Sequence, residues 1–382
     1  MTESSRYARG DATVTDYPEI EGVEVRAYEV PTDRPEADGT LGWNSTTTVV
    51  VELRAGDHCG LGWTYAGAGS ATVIRGTLAD ICVGSVPLDV PGMNERMARA
   101  CRNMGRPGLV ACAISAVDIA AWDLKARLLE VPLAALFGQA RRGAPIYGSG
   151  GFTTYDEGAT RAQLEQWTAG WGIPRVKIKI GESWGHDTGR DLARVTLARE
   201  VVGDDVELYV DANGGYTRKQ ALRMGRQFYE EQHVVWFEEP VSSDDLDGLR
   251  QVRDSCGADV AAGEYGYSLG YFAHMVGAGA VDCVQVDVTR CGGYTVWLRA
   301  AAVAEAHNLQ VSGHCAPNLH AHVATAVPNL RHLEYFHDHH RIETMLFDGA
   351  LRPQGGELVP ATDRHGHGLS LRQADAEQFR AQ

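Results

Sequence analysis

Three acids each close an apolar run: Asp211 after VELYV, Glu238 after HVVWF and Glu264 after DVAAG. Taken singly, each reads as a helix N-cap or a solvated loop acid. Three of them at the ends of successive runs carry a stronger implication. If the runs lie side by side, the carboxylates converge and repel unless a cation joins them. Oxygen-only ligation with room for water and substrate suits Mg²⁺. Asn213 and Glu239 follow closely enough in the chain to support such ligands from behind.

The run RVKIKI places Lys177 and Lys179 on one side of a strand, since alternate residues share a face. On a solvated sheet that pair would be an ordinary charged edge. If Val176, Ile178 and Ile180 face helices instead, the lysines point inward and should lower each other's pKa, which makes a lysine a usable base. Further along, DCVQVD ends in Asp287 and LQVSGH ends in His314. A carboxylate beside an imidazole fixes its tautomer and raises its basicity. RHLEY supplies Glu334, read either as a solvated acid or as a protonated one held in an apolar site to donate a hydrogen bond. A Lys base, an Asp–His base and a metal between them can move a proton on a carbon next to a carboxylate. That proton is so weakly acidic that its removal needs the enolate oxygens stabilised.

These residues need elements to position them. Eight short apolar or β-branched runs begin at PIYGSGG (145–151) and end at RHLEY (331–335), with amphipathic stretches between most of them. That order and count fit a (β/α)-barrel, whose functional residues stand at the C-terminal ends of the strands. An open doubly wound sheet fits the alternation too, but no G-x-G-x-x-G or Walker-type loop supports nucleotide binding. Ahead of the barrel, EGVEVRAYEV and TTTVVVELRAGDHCGLGWTY read as strands, the latter as a hairpin around Ala55-Gly56-Asp57. PTDRPEADGTLGWN reads as a loop, and residues 70–138 as helical, with one helix over Ala111–Leu129. The expected division is an α+β part over 1–140, a barrel over 141–352 and a C-terminal segment over 353–382.

The 382 residues carry a formal net charge of −15, which disfavours nucleic acid and anionic membrane surfaces as partners. The eight cysteines form no C-x-x-C pair and read as reduced thiols. No apolar run reads as a membrane span, and the N-terminus has no signal-like apolar region, so the expectation is a cytoplasmic protein.

The chain resembles the enolase superfamily, in its mandelate racemase-like subgroup, at RVKIKIG (175–181), YVDANGGYT (209–217), WFEEP (236–240), AAGE (261–264), QVDVTRCGGYT (285–295), SGHCAPN (312–318) and HLEYF (332–336), and also at AISAVDIAAWDLKARLLEVPLAALFG (113–138). The ordered set is specific, although no single piece is. The resemblance implies an α/β fold, a (β/α)7–8 TIM-like barrel with an α+β capping domain to which the C-terminal segment, with HGHGLSLR (365–372), returns. It implies Lys179 as base with Lys177 as auxiliary, Asp211, Glu238 and Glu264 as Mg²⁺ ligands, Asp287–His314 as the second base and Glu334 as an acid on the enolate side. Such sites pair Lys or His bases with magnesium. The muconate cycloisomerase-like branch carries a lysine where this chain has Asp287, and is disfavoured. Members with both base patterns are mostly acid-sugar dehydratases, which make a 2-keto-3-deoxy acid; the same parts serve a racemase or epimerase of a 2-hydroxy acid. A small carboxylate substrate and a homo-oligomer are further implications.

Asn213, Arg290, His320, Trp63 and Tyr65 are the candidate substrate contacts, with Asn44 and His58 beside them, and cap loops near 31–45 and 57–66 should close over the substrate. For each contact residue ordinary packing is the competing reading. The His337-Asp338-His339-His340 cluster reads as a solvated loop, because no fourth ligand at useful spacing makes it a second metal site.

Overall fold

A computed structural model describes residues 17–381. Most of the N-terminal stretch read as lacking a signal-like region lies outside the described residues. The eight runs are eight parallel strands: β4 (Ala144–Gly150), β5 (Arg175–Lys179), β6 (Glu207–Asp211), β7 (Val234–Glu238), β8 (Asp259–Ala262), β9 (Cys283–Val286), β10 (Gln310–Gly313) and β11 (Leu330–Phe336). Each pairs with the next, and β11 pairs back onto β4 through Leu333–Ile146 to Phe336–Ser149, which closes the barrel. A strand covered by helices outside and side chains inside has no wet face, hence the near-continuous Val and Ile content of these runs. On β5, Val176, Ile178 and the following Ile180 join the core against the helix layer, and Lys177 and Lys179 take the interior face as alternation requires. Beneath them the barrel is plugged by Tyr147, Tyr209 and Trp236, with His332 packed edge-on against Tyr147 and Trp236. That floor keeps water from the site from below.

Ahead of the barrel lies a three-stranded antiparallel sheet of β1 (Gly22–Ala37), β2 (Gly42–Ala55) and β3 (His58–Tyr65), the last two joined by the expected hairpin turn. The stretch expected as a loop over 31–44 is mostly strand. β1 runs on to Ala37 across a register shift between Pro31 and Glu36 and turns at residues 38–41. A bulge at that point accommodates the prolines, which cannot donate to a ladder. Helix α1 (Val90–Ala100) and helix α2 (Ala111–Leu128) cover the sheet. Gly60 and Gly62 make that contact possible: a Cβ on either would stand 2.2 or 2.3 Å from a carbonyl oxygen of α2. The segment Arg106–Leu128 does reach the length and apolarity of a membrane span, against the sequence expectation, but most of it is buried in the protein. Its composition is that of a core helix.

α2 also ties the cap to the barrel. Asp118, fully buried, accepts hydrogen bonds from the Thr295 N–H (3.0 Å), the Thr295 hydroxyl (2.6 Å) and the Asn94 amide (2.8 Å). Asp118→Ala would orphan three buried donors, each worth about 1–3 kcal/mol. We therefore expect about 3 kcal/mol or more of destabilisation, read as a shift of the urea midpoint; a midpoint unchanged from the parent protein would refute this account of the contact. The C-terminal stretch runs back over both parts. Glu357–Leu358 pairs antiparallel with the start of β4, the His367 N–H donates to Asp123 (2.8 Å) and the Glu29 N–H donates to Phe379 (2.8 Å).

Residues 337–340 are not a solvated loop. They open helix α3 (His337–Leu346), in which Asp338 and His339 are buried and His337 meets Asp33 of the cap at 3.2 Å. The eighth strand ends where these polar residues can pack under the cap, and only that packing distinguishes them from a loop.

Candidate active site

Every strand from β5 to β11 delivers a polar group to the same mouth. Lys177 and Lys179 lie on β5, Asp211 and Glu238 close β6 and β7, and Glu334 sits on β11. Glu264, Asp287 and His314 stand one or two residues beyond β8, β9 and β10. The chain turns sharply at these points, with Asn213, Glu239, Cys315 and Ala316 all in the left-handed region. Such strained positions in non-glycine residues concentrate at functional sites. Gly263 (φ +133°) admits no substitute, because a Cβ would meet the Gln285 carbonyl at 2.2 Å, and its turn aims Glu264 inward.

Asp211, Glu238 and Glu264 are all buried and offer one oxygen each within a 4.8 Å cluster. Around them three buried oxygens have no hydrogen-bond partner among the described residues: Asn213 Oδ1, Glu239 Oε1 and Glu264 Oε2. Unpaired buried acceptors are costly, and a hard cation is the group that would satisfy several at once. Burial pushes Glu238 up to about 8, with Asp211 and Glu334 adding to the push and Lys177 opposing it. Burial raises Asp211 too, but Lys179 and Lys177 outweigh it and hold that carboxyl near 2. The donor set is all oxygen and acidic, and it fits magnesium.

The lysines differ from the sequence expectation. Burial lowers Lys179 and Lys177 adds to that, yet the carboxylates prevail and its pKa is raised. Lys179 Nζ is 2.5 Å from Asp211, while Lys177 contacts Glu238, Glu334 (2.8 Å) and Asp211 (3.3 Å) and is raised as well. Mutual repulsion of two ammonium groups is real, but three neighbouring acids overcome it. Lys177, fully enclosed, holds the acids together, whereas Lys179 lines the cavity.

Across the mouth His314 Nδ1 lies 2.8 Å from Asp287 Oδ2, and Asp287 Oδ1 accepts from the Thr289 N–H and hydroxyl, both at 2.7 Å. Burial raises Asp287, but His314 and Arg290 hold it well below the usual carboxylate range. His314 is lowered by burial and raised more by Glu264, Glu334 and Asp287. An ionised Asp287 keeps the proton on Nδ1 and leaves Nε2 free toward the cavity. Asp287→Asn removes that constraint, so we expect turnover to fall about 10²-fold or more with little change in Tm; a rate close to that of the parent would show that the pair is only structural. Glu334 is buried, not solvated, and its neighbours favour the ionised form. Burial favours the neutral form, but Lys177, His314 and Lys179 hold it well below its usual range, and it accepts from the Ser149 hydroxyl at 2.6 Å.

Lys179 and His314 face a cavity of about 340 Å³ lined by cap residues Asp38, Trp43, Ser45, Thr46, Thr47 and Tyr65 and by Asn213, Arg290, Cys315 and His339. Of the candidate substrate contacts, Asn213, Arg290 and Tyr65 reach it. Arg290 lies 3.3 Å from both Glu264 and Asp287, and Tyr65 stacks on His339. Trp63 does not reach it. Alternation puts Trp63 and Tyr65 on the same face of β3, but Tyr65 closes the strand at the mouth, whereas the Trp63 ring is buried against Phe347. His320 does not reach the cavity either. It is fully buried, its Nδ1 2.8 Å from the Cys315 carbonyl and its Nε2 accepting from the Val288 N–H, so it braces the turn after β10. Asn44 and His58 are not among the lining residues. Ser149, Cys315 and His339 also belong to the site; spacing and residue type do not single out the first two, and His339 falls in the cluster expected to be a solvated loop. Ser149 and Cys315 sit within strand-end motifs, but His339 is placed by helix α3 alone. A larger cavity of about 780 Å³ adjoins the site, shares Asn213 and Tyr265 with it and is lined by neither Lys179 nor His314.

Residues 22–138 match the mandelate racemase/muconate lactonizing enzyme N-terminal domain, and residues 159–376 match the enolase C-terminal domain-like family. The chain is 32% identical over 330 residues to L-talarate/galactarate dehydratase of Salmonella typhimurium, covering 85% of this chain and 80% of that protein. A structure of that dehydratase liganded with Mg and L-lyxarohydroxamate superposes with a TM-score of 0.89 at 28% identity, covering 100% of this chain and 97% of that one. A 3,6-anhydro-alpha-L-galactonate cycloisomerase of Streptomyces coelicolor is 32% identical over 362 residues, covering 92% of this chain and 97% of that protein. A mandelate racemase/muconate lactonizing enzyme-like protein from Rubrobacter xylanophilus is 49% identical, with a TM-score of 0.92 over 95% of this chain and 100% of that one. With both halves matched in order and the closed barrel between them, the chain belongs to the mandelate racemase/muconate lactonizing enzyme family of the enolase superfamily.

Proposed function

We propose that this protein is a magnesium-dependent acid-sugar dehydratase. The observation that carries the reading is the placement of Lys179 and the Asp287–His314 pair on opposite sides of a three-carboxylate cluster, inside one cavity roofed by the cap. Asp211, Glu238 and Glu264 would hold the ion, which when bound stabilises the enolate oxygens of the substrate carboxylate. One base takes the C2 proton and the C2–H electron pair forms the C2–C3 double bond. The C3–oxygen bond breaks with its electron pair, and His314 Nε2–H supplies the proton that lets the hydroxyl leave as water. The enol then tautomerises to a 2-keto-3-deoxy acid. Glu334, fixed by Lys177 and Ser149, orients that end of the site, while Arg290, Asn213 and Tyr65 are placed to hold substrate oxygens. The dehydratase and cycloisomerase relatives, both named for sugar acids, support a sugar-acid substrate.

Two bases on opposite faces also serve a 1,1-proton transfer, which keeps racemisation or epimerisation as the second reading. Incubation with Mg²⁺ and a panel of mono- and diacid sugars, assayed for 2-keto acid, decides between them. A keto product establishes elimination. Exchange of the C2 hydrogen in deuterated water without a keto product moves the assignment to racemase or epimerase.

A further inference from the structure

Beside the magnesium-type cluster stands a second group of ligand atoms of different chemistry. His314 Nε2, Cys315 Sγ and Glu334 Oε2 form a triangle with edges of 3.4 Å (N to S), 3.3 Å (S to O) and 3.6 Å (N to O). All three residues are buried, and His314 and Cys315 open onto the cavity. Zinc bonds at ~2.3 Å to sulfur, ~2.0 Å to imidazole and ~2.1 Å to carboxylate would need tetrahedral edges of about 3.4–3.6 Å. Each edge of the triangle thus lies within about 0.3 Å of a face of a tetrahedral zinc site, the S–O edge short and the N–O edge long.

The surrounding contacts fit the same purpose. Asp287 holds the Nδ1 side of the ring, so the Nε2 lone pair is aimed at the triangle, which is how ligating histidines are usually braced. Glu334 is fixed through its other oxygen by Ser149 and Lys177, leaving Oε2 to the thiol and the Cys315 N–H. The left-handed backbone at Cys315 turns the thiol toward His314 instead of away along the strand direction. The fourth corner of the tetrahedron faces the cavity, where water is available. Sulfur and imidazole donors favour zinc over magnesium, while the all-oxygen cluster nearby has the opposite preference.

We propose that His314, Cys315 and Glu334 form a binding site for a thiophilic divalent cation of the zinc class, distinct from the three-carboxylate site, and that its occupation inhibits the enzyme. Binding displaces the thiol proton, and the Nε2 proton of any imidazolium, to solvent and forms the metal–sulfur and metal–nitrogen bonds. The same event engages the Nε2 lone pair, so the imidazole is no longer available to exchange a proton with substrate. Only the inhibitory half of this inference rests on the functional reading above; the binding half does not.

The test begins without substrate. Protein saturated with Mg²⁺ is titrated with Co²⁺, whose thiolate charge-transfer band and intense tetrahedral visible bands report a bound sulfur ligand. The expected result is one equivalent with both signatures, displaced by Zn²⁺, lost in Cys315→Ser and kept in Cys59→Ser, the exposed cysteine. Absence of the charge-transfer band in the parent protein, or its survival in Cys315→Ser, overturns the site. Turnover of a productive substrate is then measured against Zn²⁺ at fixed Mg²⁺, each variant scaled to its own zinc-free rate. Losing a direct ligand should cost at least the ~10–100-fold that losing a supporting contact costs, so the inhibitory zinc concentration should rise about 100-fold in Cys315→Ser. Inhibition that added Mg²⁺ relieves in proportion would show zinc replacing magnesium at the carboxylates, and would overturn the inhibitory role. Should the panel yield no substrate, the cobalt spectra still decide the site.

Discussion

Lys179→Ala is expected to lower turnover about 10³-fold or more, equivalent to ~4 kcal/mol of transition-state stabilisation. The lysine both touches the acidic cluster and lines the cavity, so it is placed to meet a substrate proton. Lys177→Met is the necessary contrast. That side chain is fully buried among Glu238, Glu334 and Asp211, and its loss leaves buried acids uncompensated. Removing one partner of such a cluster costs about 3–5 kcal/mol. Both changes should therefore depress Tm, Lys177→Met the more because it contacts three acids and Lys179 only Asp211, while Lys179→Ala should in addition act on kcat. The measurement is kcat with the accepted acid sugar beside a thermal scan of each variant, and C2 exchange in deuterated water reports proton removal directly. Exchange and turnover that both survive Lys179→Ala would remove this lysine from the chemistry.

Removal of magnesium should have an effect of similar size on rate and a separate one on stability. Chelation is expected to abolish activity, because a divalent ion is what would carry the charge that builds on the enolate oxygens. Adding Mg²⁺ back to roughly a hundredfold excess over its Kd should stabilise the fold by ~2.7 kcal/mol, a rise of a few degrees in Tm. The physical source is compensation of the burial and neighbouring acids that push Glu238 up, and of the oxygens of Asn213, Glu239 and Glu264 that lack partners among the described residues. Asp211→Asn should lose both the rate and most of the Mg²⁺-dependent shift. A thermal scan that is flat in Mg²⁺ would mean that the three carboxylates do not hold a divalent ion.

The groups these two experiments probe differ in how far local sequence reveals them. The acids Asp211, Glu238 and Glu264 are legible because each ends an apolar run, and the closed barrel puts successive strand ends at one mouth. The inward face of Lys177 and Lys179 follows from period two and from the need of Val176, Ile178 and Ile180 to reach the helices. Their pKa direction does not follow, because it depends on how many carboxylates lie within a few ångströms, and local sequence counts only the neighbouring lysine. Glu334 shows the same limit: a strand-end acid is visible, but its ionised state is set by Lys177, which lies 157 positions away in the chain.

The sequence by itself determined the eight alternating strands and the polar residues at their ends, Lys179 and the Asp287–His314 pair among them, whereas closure, which an open sheet would have lacked, rests on the pairing of β11 with β4. Strand alternation, apolar runs and terminal polar residues are local patterns that a repeated β–α unit reads out in order. Only the tertiary structure decided which cap residues roof the site. Tyr65 faces the cavity while Trp63, two positions earlier on the same face of the same strand, is stacked on Phe347. It likewise turned His320 into a brace, folded residues 337–340 into helix α3 with His339 at the cavity wall, and brought Cys315 Sγ to within 3.4 Å of His314. Each of these outcomes depends on contacts between segments distant in sequence, or on a turn's exact direction, and neither leaves a periodic trace for composition or spacing to reveal.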